Sequence, residues 1–335
     1  MPLELQARPT AMEETSTRQR SRISGALVIG LINNMPDSAL EGTETQFKAL
    51  LTAASRTRTV HLRIASLSEV TRGPEARARI TERYWSLDQL LAEAPDALIV
   101  TGTEPKTARL SDEPYWEQLT ELIDYAEANL ISSAWSCLAA HAAVLHLDGI
   151  ARERLSAKRF GVFEQRVLLQ HALTRELDPQ ICIPHSRWNN LPLDALIAAD
   201  YRILTRSEFG DADCFVKERR SLLVFFQGHP EYEQRTLLKE YQRDVGRFIS
   251  GEYREYPQVP PGYFSAPALQ LLGDFERKLR AGDLVEPLAA FPFAAVAASI
   301  EASWLAPAAE IYSNWLSYIA MRKTSTALAS RRIST

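Results

Sequence analysis

Apolar residues along this chain follow two patterns, and the change comes near Phe160. Before it, short continuous apolar runs alternate with longer stretches whose apolar residues recur at helical spacing. Ala26-Leu-Val-Ile-Gly-Leu-Ile32 is the strongest run, of the kind buried on both faces of a parallel sheet. The loop Asn33-Asn34-Met35-Pro36-Asp37 ends it, and a helix is expected through Glu44 to Leu51. Thr59 to Ile64 and Ala97 to Val100 read as strands, while Arg72 to Glu93 between them reads as a charged, solvated helical excursion. Tyr115 to Glu127 sets Trp116, Leu119, Leu122, Ile123 and Ala126 at helical spacing. Leu130 to Trp135 is a further buried strand, and Leu138 to Leu145, rich in Ala and Leu, is a helix. The alternation predicts an α/β fold, a mostly parallel sheet flanked by helices on both faces.

From Phe160 onward short strands dominate: Phe160 to Leu168, Gln180 to Ile183, Tyr201 to Thr205, Asp213 to Lys217 and Ser221 to Phe226. A helix is expected from Glu233 to Ser250, Pro257 to Gly262 is a linker, and Glu310 to Tyr318 lies in a closing helix. Residues 1–22 are polar and aperiodic and predict a mobile tail. Residues 23–256 then form the main domain, and 257–335 a linker and helical extension packed on it.

With 335 residues, 46% of them hydrophobic, the chain can bury a large core. A net charge of -4 gives no broad electrostatic case for nucleic acid or a membrane surface. Cys137, Cys182 and Cys214 are too irregularly spaced for a disulfide framework or a zinc site, so no metal and a reducing cytoplasm are expected. No apolar run reaches transmembrane length, and the N-terminus lacks the apolar core of a signal peptide.

Cys137 falls where a strand becomes a helix. A side chain there is held out at the carboxyl edge of the sheet, where ligands gather in such folds. The helix N-terminus beside it offers unpaired N–H groups and a potential that lowers a thiol pKa. A small buried residue would fit the same place. His229 follows Leu222-Leu-Val-Phe-Phe226 by a short turn and reaches the same edge, with Glu231 just beyond a stiffening proline. Nucleophile, base and orienting carboxylate form a catalytic logic, although a lone His after a strand is often structural. Cys182 and Cys214 have no base beside them and read as packing residues. Arg152-Glu-Arg154 and Arg219-Arg220 read as solvated faces, although one of them could meet the phosphates of a nucleotide-bearing substrate.

A strand-elbow Cys followed far downstream by Gly-His-Pro-Glu resembles the class I glutamine amidotransferase-like fold, a flavodoxin-like three-layer arrangement. More specifically, the chain resembles the homoserine O-acyltransferases of methionine biosynthesis, the O-succinyltransferase family. The matching segments are Asn34-Met35-Pro36 with Glu44-Thr45-Gln46-Phe47, Thr101-Gly102 with Tyr115-Trp116, and the elbow through Gly149-Ile150. They continue with Lys158 and Phe160-Gly-Val-Phe-Glu164, Pro184-His-Ser-Arg187, Gly228-His-Pro-Glu-Tyr232 with Glu240-Tyr241 and Arg243-Asp244, and Asn314-Trp-Leu316.

The resemblance implies ping-pong acyl transfer. Cys137 would take the acyl group from an acyl-CoA as a thioester, and His229, oriented by Glu231, would activate the hydroxyl of L-homoserine. Lys158, Ser186 and Arg243 would hold the amino acid, and backbone N–H groups of Leu138 and near Gly102 would form the oxyanion hole. Acyl-CoA is then a co-substrate with no bound cofactor, and the family implies a homodimer.

The departures concern substrate choice. Where the family has Trp-Gly-Ala-Gln after the nucleophile, this chain has Leu138-Ala139-Ala140-His141. The family's acyl-selecting position, small for succinyl and acidic for acetyl, aligns with Lys106. The loop after Pro36 carries a two-residue insertion and lacks lysines often found there. Lys106 is accordingly expected to pair with a succinyl carboxylate. An acetyl donor, serine as acceptor, an amidase using the same triad, and a non-catalytic family member are the competing readings.

Overall fold

Both faces of the central sheet are covered, which is why its strands read as unbroken apolar runs. The computed structural model describes residues 3–7 and 25–333, with side chains described to residue 325. The first half contains β1 (Leu3–Leu5), β2 (Leu27–Ile32), α1 (Leu40–Ser55), β3 (Val60–Ala65), α2 (Pro74–Arg83) and α3 (Leu87–Ala92). It continues with β4 (Ala97–Val100), α4 (Trp116–Asn129), β5 (Ser132–Ser136) and α5 (Leu138–Asp148). Next come β6 (Glu153–Val167), β7 (Gln180–Asn190), α6 (Leu193–Ala198), β8 (Arg202–Ile203), β9 (Thr205–Ser207), β10 (Cys214–Glu218) and β11 (Leu222–Phe226). The chain closes with α7 (Thr236–Ile249), α8 (Ala266–Ala281), α9 (Phe293–Ala297) and α10 (Leu305–Ile333).

Among the described residues the main sheet has eight strands in the order β1-β3-β2-β4-β5-β11-β10-β8. The strands from β1 to β11 in this order pair parallel, and β10 runs antiparallel to both of its neighbours. Alternate residues divide between two cores. Ile29, Leu31, Ile99 and Val224 meet Phe47 and Leu51 of α1 and Trp315 of α10. Leu98, Val100, Trp135 and Phe225 meet Ile123 of α4 and Ala143 of α5 on the other face. A three-stranded antiparallel sheet, β7-β6-β9, stands beside this core. It supplies Phe160 and Val162 to a third cluster with Tyr232, Leu238 and Tyr241 around α7, α8 and α9.

Four details depart from the sequence reading. Leu3–Leu5, assigned to the tail, pair parallel with Val60–Leu62 at the sheet edge, while residues 8–24 lie outside the described residues. Within the charged stretch 72–93, Tyr84, Trp85 and Leu90 are buried, because an amphipathic segment can be polar on average and still deliver its few apolar side chains to the core. The strand expected at 201–205 is split, β8 joining the main sheet and β9 the small one. The linker is clamped: the Val162 N–H donates to the Pro261 carbonyl at 2.9 Å. Gly262 has φ +69°, and a Cβ there would stand 2.3 Å from the Val162 oxygen.

The closing helix is fastened to the strand that ends in the elbow. Trp315 is 2% exposed, and its indole N–H donates to Ser132 Oγ at 2.8 Å. That hydroxyl in turn donates to the Leu222 carbonyl at 2.6 Å, joining β5 to β11. Replacing Trp315 with Ala should destabilise the fold by about 3–5 kcal/mol, read as a lower urea midpoint.

Candidate active site

The parallel pairing of β5 with β11 ends in the pair Ser136 and Phe226. Both chains therefore leave the sheet at the same level of its carboxyl edge. Cys137 takes φ 49° and ψ -107°, a sparsely populated conformation for a side-chain-bearing residue, as the N-cap of α5. Its N–H donates to the Phe226 carbonyl at 2.7 Å, which locks the elbow to the neighbouring strand. The first turn of α5 has N–H groups without intrahelical acceptors, aimed at this edge. Gly102, just beyond β4, lies against the same turn. A Cβ on Gly102 would come within 2.4 Å of Leu138 Cβ, so only glycine allows this approach.

After β11, the Gln227-Gly228-His229 turn is held from several sides. Gln227 N–H donates to the Asp213 carbonyl at 3.0 Å and His229 N–H to the Pro184 carbonyl at 2.8 Å. Gly228 N–H donates to Asp213 Oδ1 at 2.8 Å. Burial pushes the Asp213 carboxyl up to about 6. His229 and Glu231 are each 7% exposed. His229 Nδ1 lies 2.8 Å from Glu231 Oε1, which also accepts from Ser136 Oγ at 3.3 Å. The same ring lies close enough to the Cys137 side chain for the two to interact, so sulfur, imidazole and carboxylate are grouped together. Burial opposes charging of His229, but Glu231 and Cys137 outweigh it and hold the imidazolium well above its ordinary range.

The expected amino-acid contacts also come together. Tyr232 stacks on His229 with ring centroids 4.4 Å apart, and its hydroxyl lies within the influence of Glu240, which together with burial raises it well above its ordinary range. Ser186 Oγ donates to Glu240 Oε2 at 2.7 Å. Lys158 Nζ lies 3.6 Å from Asp244 and 3.9 Å from Glu240, and Arg243 pairs with Asp244 at 3.1 Å. Glu240 is the residue the sequence reading quoted without a role. Its spacing from Arg243 and Asp244 on one face of α7 is the signal that could have found it.

Beside Cys137 lies a cavity of about 870 Å³, whose wall includes Leu138, His141 and Leu145 from one face of α5, together with Ser186. Lys106 stands on the loop beside this cavity. Its flanking residues Pro105 and Thr107 line the cavity but its own side chain does not, and it is exposed. Its backbone N–H and that of Thr107 both donate to Glu113 Oε1 at 2.7 Å, which fixes the loop. Arg152, expected on a solvated face, is half-buried and forms part of the wall. His141 is buried and joined through Nε2 to Gln227 Oε1 at 3.0 Å, linking the elbow helix to the His229 turn. Cys214 is buried in the sheet, as a packing residue should be, and burial raises its thiol well above the ordinary range.

A model of the homoserine O-succinyltransferase family matches residues 4–326. The homoserine O-succinyltransferase of Rhodopseudomonas palustris is 44% identical over 297 residues, covering 89% of each chain. That of Methylorubrum extorquens is 44% identical over 296 residues, covering 88% of each. Among solved structures, a glutamine amidotransferase from Methylobacillus flagellatus aligns with TM-score 0.50 at 13% identity, over 88% of this chain and 95% of that one. The fold places the chain in the class I glutamine amidotransferase-like class. Within that class it belongs to the homoserine O-succinyltransferase family and is an acyltransferase.

Two outcomes follow from this geometry. Gly102→Ala should push the first turn of α5 aside, lower kcat about tenfold or more and lower Tm as well, checked by steady-state kinetics alongside melting. Burial lowers the His141 pKa to about 3. The unfolded chain therefore takes up a proton below about 6.5 that the folded chain refuses. His141 leaves stability intact above that value and subtracts from it as pH falls toward 3. The stability of wild type relative to His141→Gln should thus decline by about 1.4 kcal/mol per pH unit between roughly pH 6 and 4, measured by urea unfolding.

Proposed function

We propose that this protein transfers a succinyl group from succinyl-CoA to the hydroxyl of L-homoserine by a ping-pong route through a Cys137 thioester. The observation that carries the reading is the grouping of Cys137 with the hydrogen-bonded His229–Glu231 pair at the elbow, with Gly102 pressed against the first turn of α5. The family match supplies the substrate names.

The Cys137 thiolate attacks the thioester carbonyl. Negative charge develops on the carbonyl oxygen, which the Leu138 and Gly102 N–H groups receive. As the carbon–sulfur bond to CoA breaks, the His229 imidazolium protonates the departing thiolate. The neutral ring then accepts the hydroxyl proton of the amino acid while that oxygen attacks the Cys137 thioester. Collapse of the second tetrahedral adduct releases the ester and the Cys137 thiolate, and His229 holds the proton again. Glu231 stabilises each charged state of the ring and holds Nε2 toward the sulfur.

The half-exposed guanidinium of Arg243 and the Lys158 ammonium bind the α-carboxylate, with Ser186 beside them. Glu240 provides the acceptor that the α-ammonium requires. The three described cysteines are free thiols, as a thiolate mechanism in the cytoplasm needs. Among the described residues no helix is long and apolar enough to cross a membrane.

Intact-protein mass spectrometry of wild type and Cys137→Ala, each mixed with succinyl-CoA or acetyl-CoA in turn, tests the reading. A succinyl adduct on wild type alone is the expected result, discharged when L-homoserine is added. Acetyl labelling alone would keep the nucleophile and overturn the donor. Steady-state succinyl transfer by Cys137→Ala would overturn the thioester.

A further inference from the structure

Arg109, Arg152, Arg154 and Arg187 line the cavity beside Cys137, and they are not equivalent. Arg109 is exposed and holds Asp112 through two contacts of 2.9 and 3.0 Å. Arg154 is exposed, with its guanidinium 4.9 Å from the centre of the Trp188 ring. Arg187 is buried and fully engaged. It donates to Asp211 at 3.1 Å, to the Asn189 carbonyl at 2.7 Å and to Asn190 Oδ1 at 3.0 Å. Arg152 stands apart, because its Nη1 is buried without a hydrogen-bond partner. Among the described residues no carboxylate forms an ion pair with it.

Removing part of a guanidinium from water without supplying an acceptor is unfavourable, so Arg152, half-buried in the cavity wall with no carboxylate paired to it, gains from an anion that reaches its accessible edge through the cavity. Arg152 is near enough to Cys137 for the two charges to interact. The same cavity wall includes the face of α5 that carries Leu138, His141 and Leu145. The leucines suit methylene groups. His141 is uncharged at neutral pH, since burial holds its pKa near 3. It therefore brings no competing cation.

We propose that Arg152 receives the distal carboxylate of a dicarboxylic acyl group as the thioester is presented to Cys137, and thereby sets the preference for succinyl over acetyl. The proposal rests on the acyl-transfer reading above and deepens it by naming the group that selects the donor. In a succinyl thioester only two methylenes separate the attacked carbonyl from the carboxylate, so the carboxylate must be received close to the nucleophile. The phosphates of CoA are held away from the thioester by the whole pantetheine arm, which makes them the poorer match for this guanidinium. Lys106 is a cation of the right sign but is exposed and outside the wall. An acetyl group has nothing to offer Arg152.

The test is kcat/KM for succinyl-CoA and acetyl-CoA with L-homoserine, for wild type, Arg152→Gln, Arg152→Lys and Lys106→Gln. Arg152→Gln should lower the succinyl-CoA value about a hundredfold and the acetyl-CoA value by less than about threefold. Arg152→Lys should recover roughly tenfold of that loss, because charge returns without the planar fork. Lys106→Gln should leave the donor ratio unchanged. Melting curves establish that each variant is folded, and if the Gln variant is not, the Lys variant carries the comparison through a donor-specific loss of its own. Equal losses with both donors, an unchanged succinyl value, or a selective loss in Lys106→Gln would each overturn the assignment. Turnover of neither donor by wild type would defeat the acyl-transfer reading itself, an outcome distinct from an active wild type whose Arg152 variants keep the donor ratio.

Discussion

The site depends above all on the pairing of two parallel strands that are far apart in the chain. β5 ends at Ser136 and β11 at Phe226, opposite each other, and the Cys137 N–H closes on the Phe226 carbonyl at 2.7 Å. A slip of one residue in this register would turn the side chains of β11 to the opposite face. Phe225 would then leave its stack with Phe215, whose centroid lies 5.0 Å away. The cores on the two faces of the sheet therefore fix the register, and the register fixes where the sulfur and the imidazole meet.

A layer of buried polar groups beneath that meeting point converts a correct register into a correct orientation. Gln227 is wholly buried. Its amide donates to the Ala212 carbonyl at 2.6 Å and to Asn190 Oδ1 at 3.0 Å, and its oxygen accepts from the Leu191 N–H and faces His141. Such a network is stabilising only when its members find partners, because an unpaired polar group in a low dielectric is costly. It leaves the Gln227 side chain a single arrangement, and the adjoining His229 turn inherits that rigidity. Tyr232 extends the constraint outward, its ring stacked on His229. On its far side the Tyr232 carbonyl accepts the Trp304 indole N–H at 2.7 Å.

Much of this was legible in the sequence where one physical signal dominated. Ala97–Val100 appears with the bounds its apolar run suggested, and Cys137, His229 and Glu231 were readable because each follows a buried strand. The misses have physical causes. Leu3–Leu5 make only a three-residue strand, whose partner alone makes it one. Trp85 and Leu90 sit among charges that mask them in any averaged reading. Glu240 and Arg152 were passed over because their surroundings come from distant parts of the chain: Ser186 on a strand of the small sheet for Glu240, and a cavity wall shared with residues 186–189 for Arg152.

The two tryptophans of the C-terminal part bear on how the chain is made. Trp315 bonds the first residue of the strand that leads to the sulfur, and Trp304 bonds the residue beneath the imidazole. Synthesis from N- to C-terminus delivers the thiol first, its base much later and these two anchors last. A nascent chain thus carries the cysteine without its histidine while the residues between Cys137 and His229 are made. The two indoles that fasten the strand end and the turn are the last of these parts to be made.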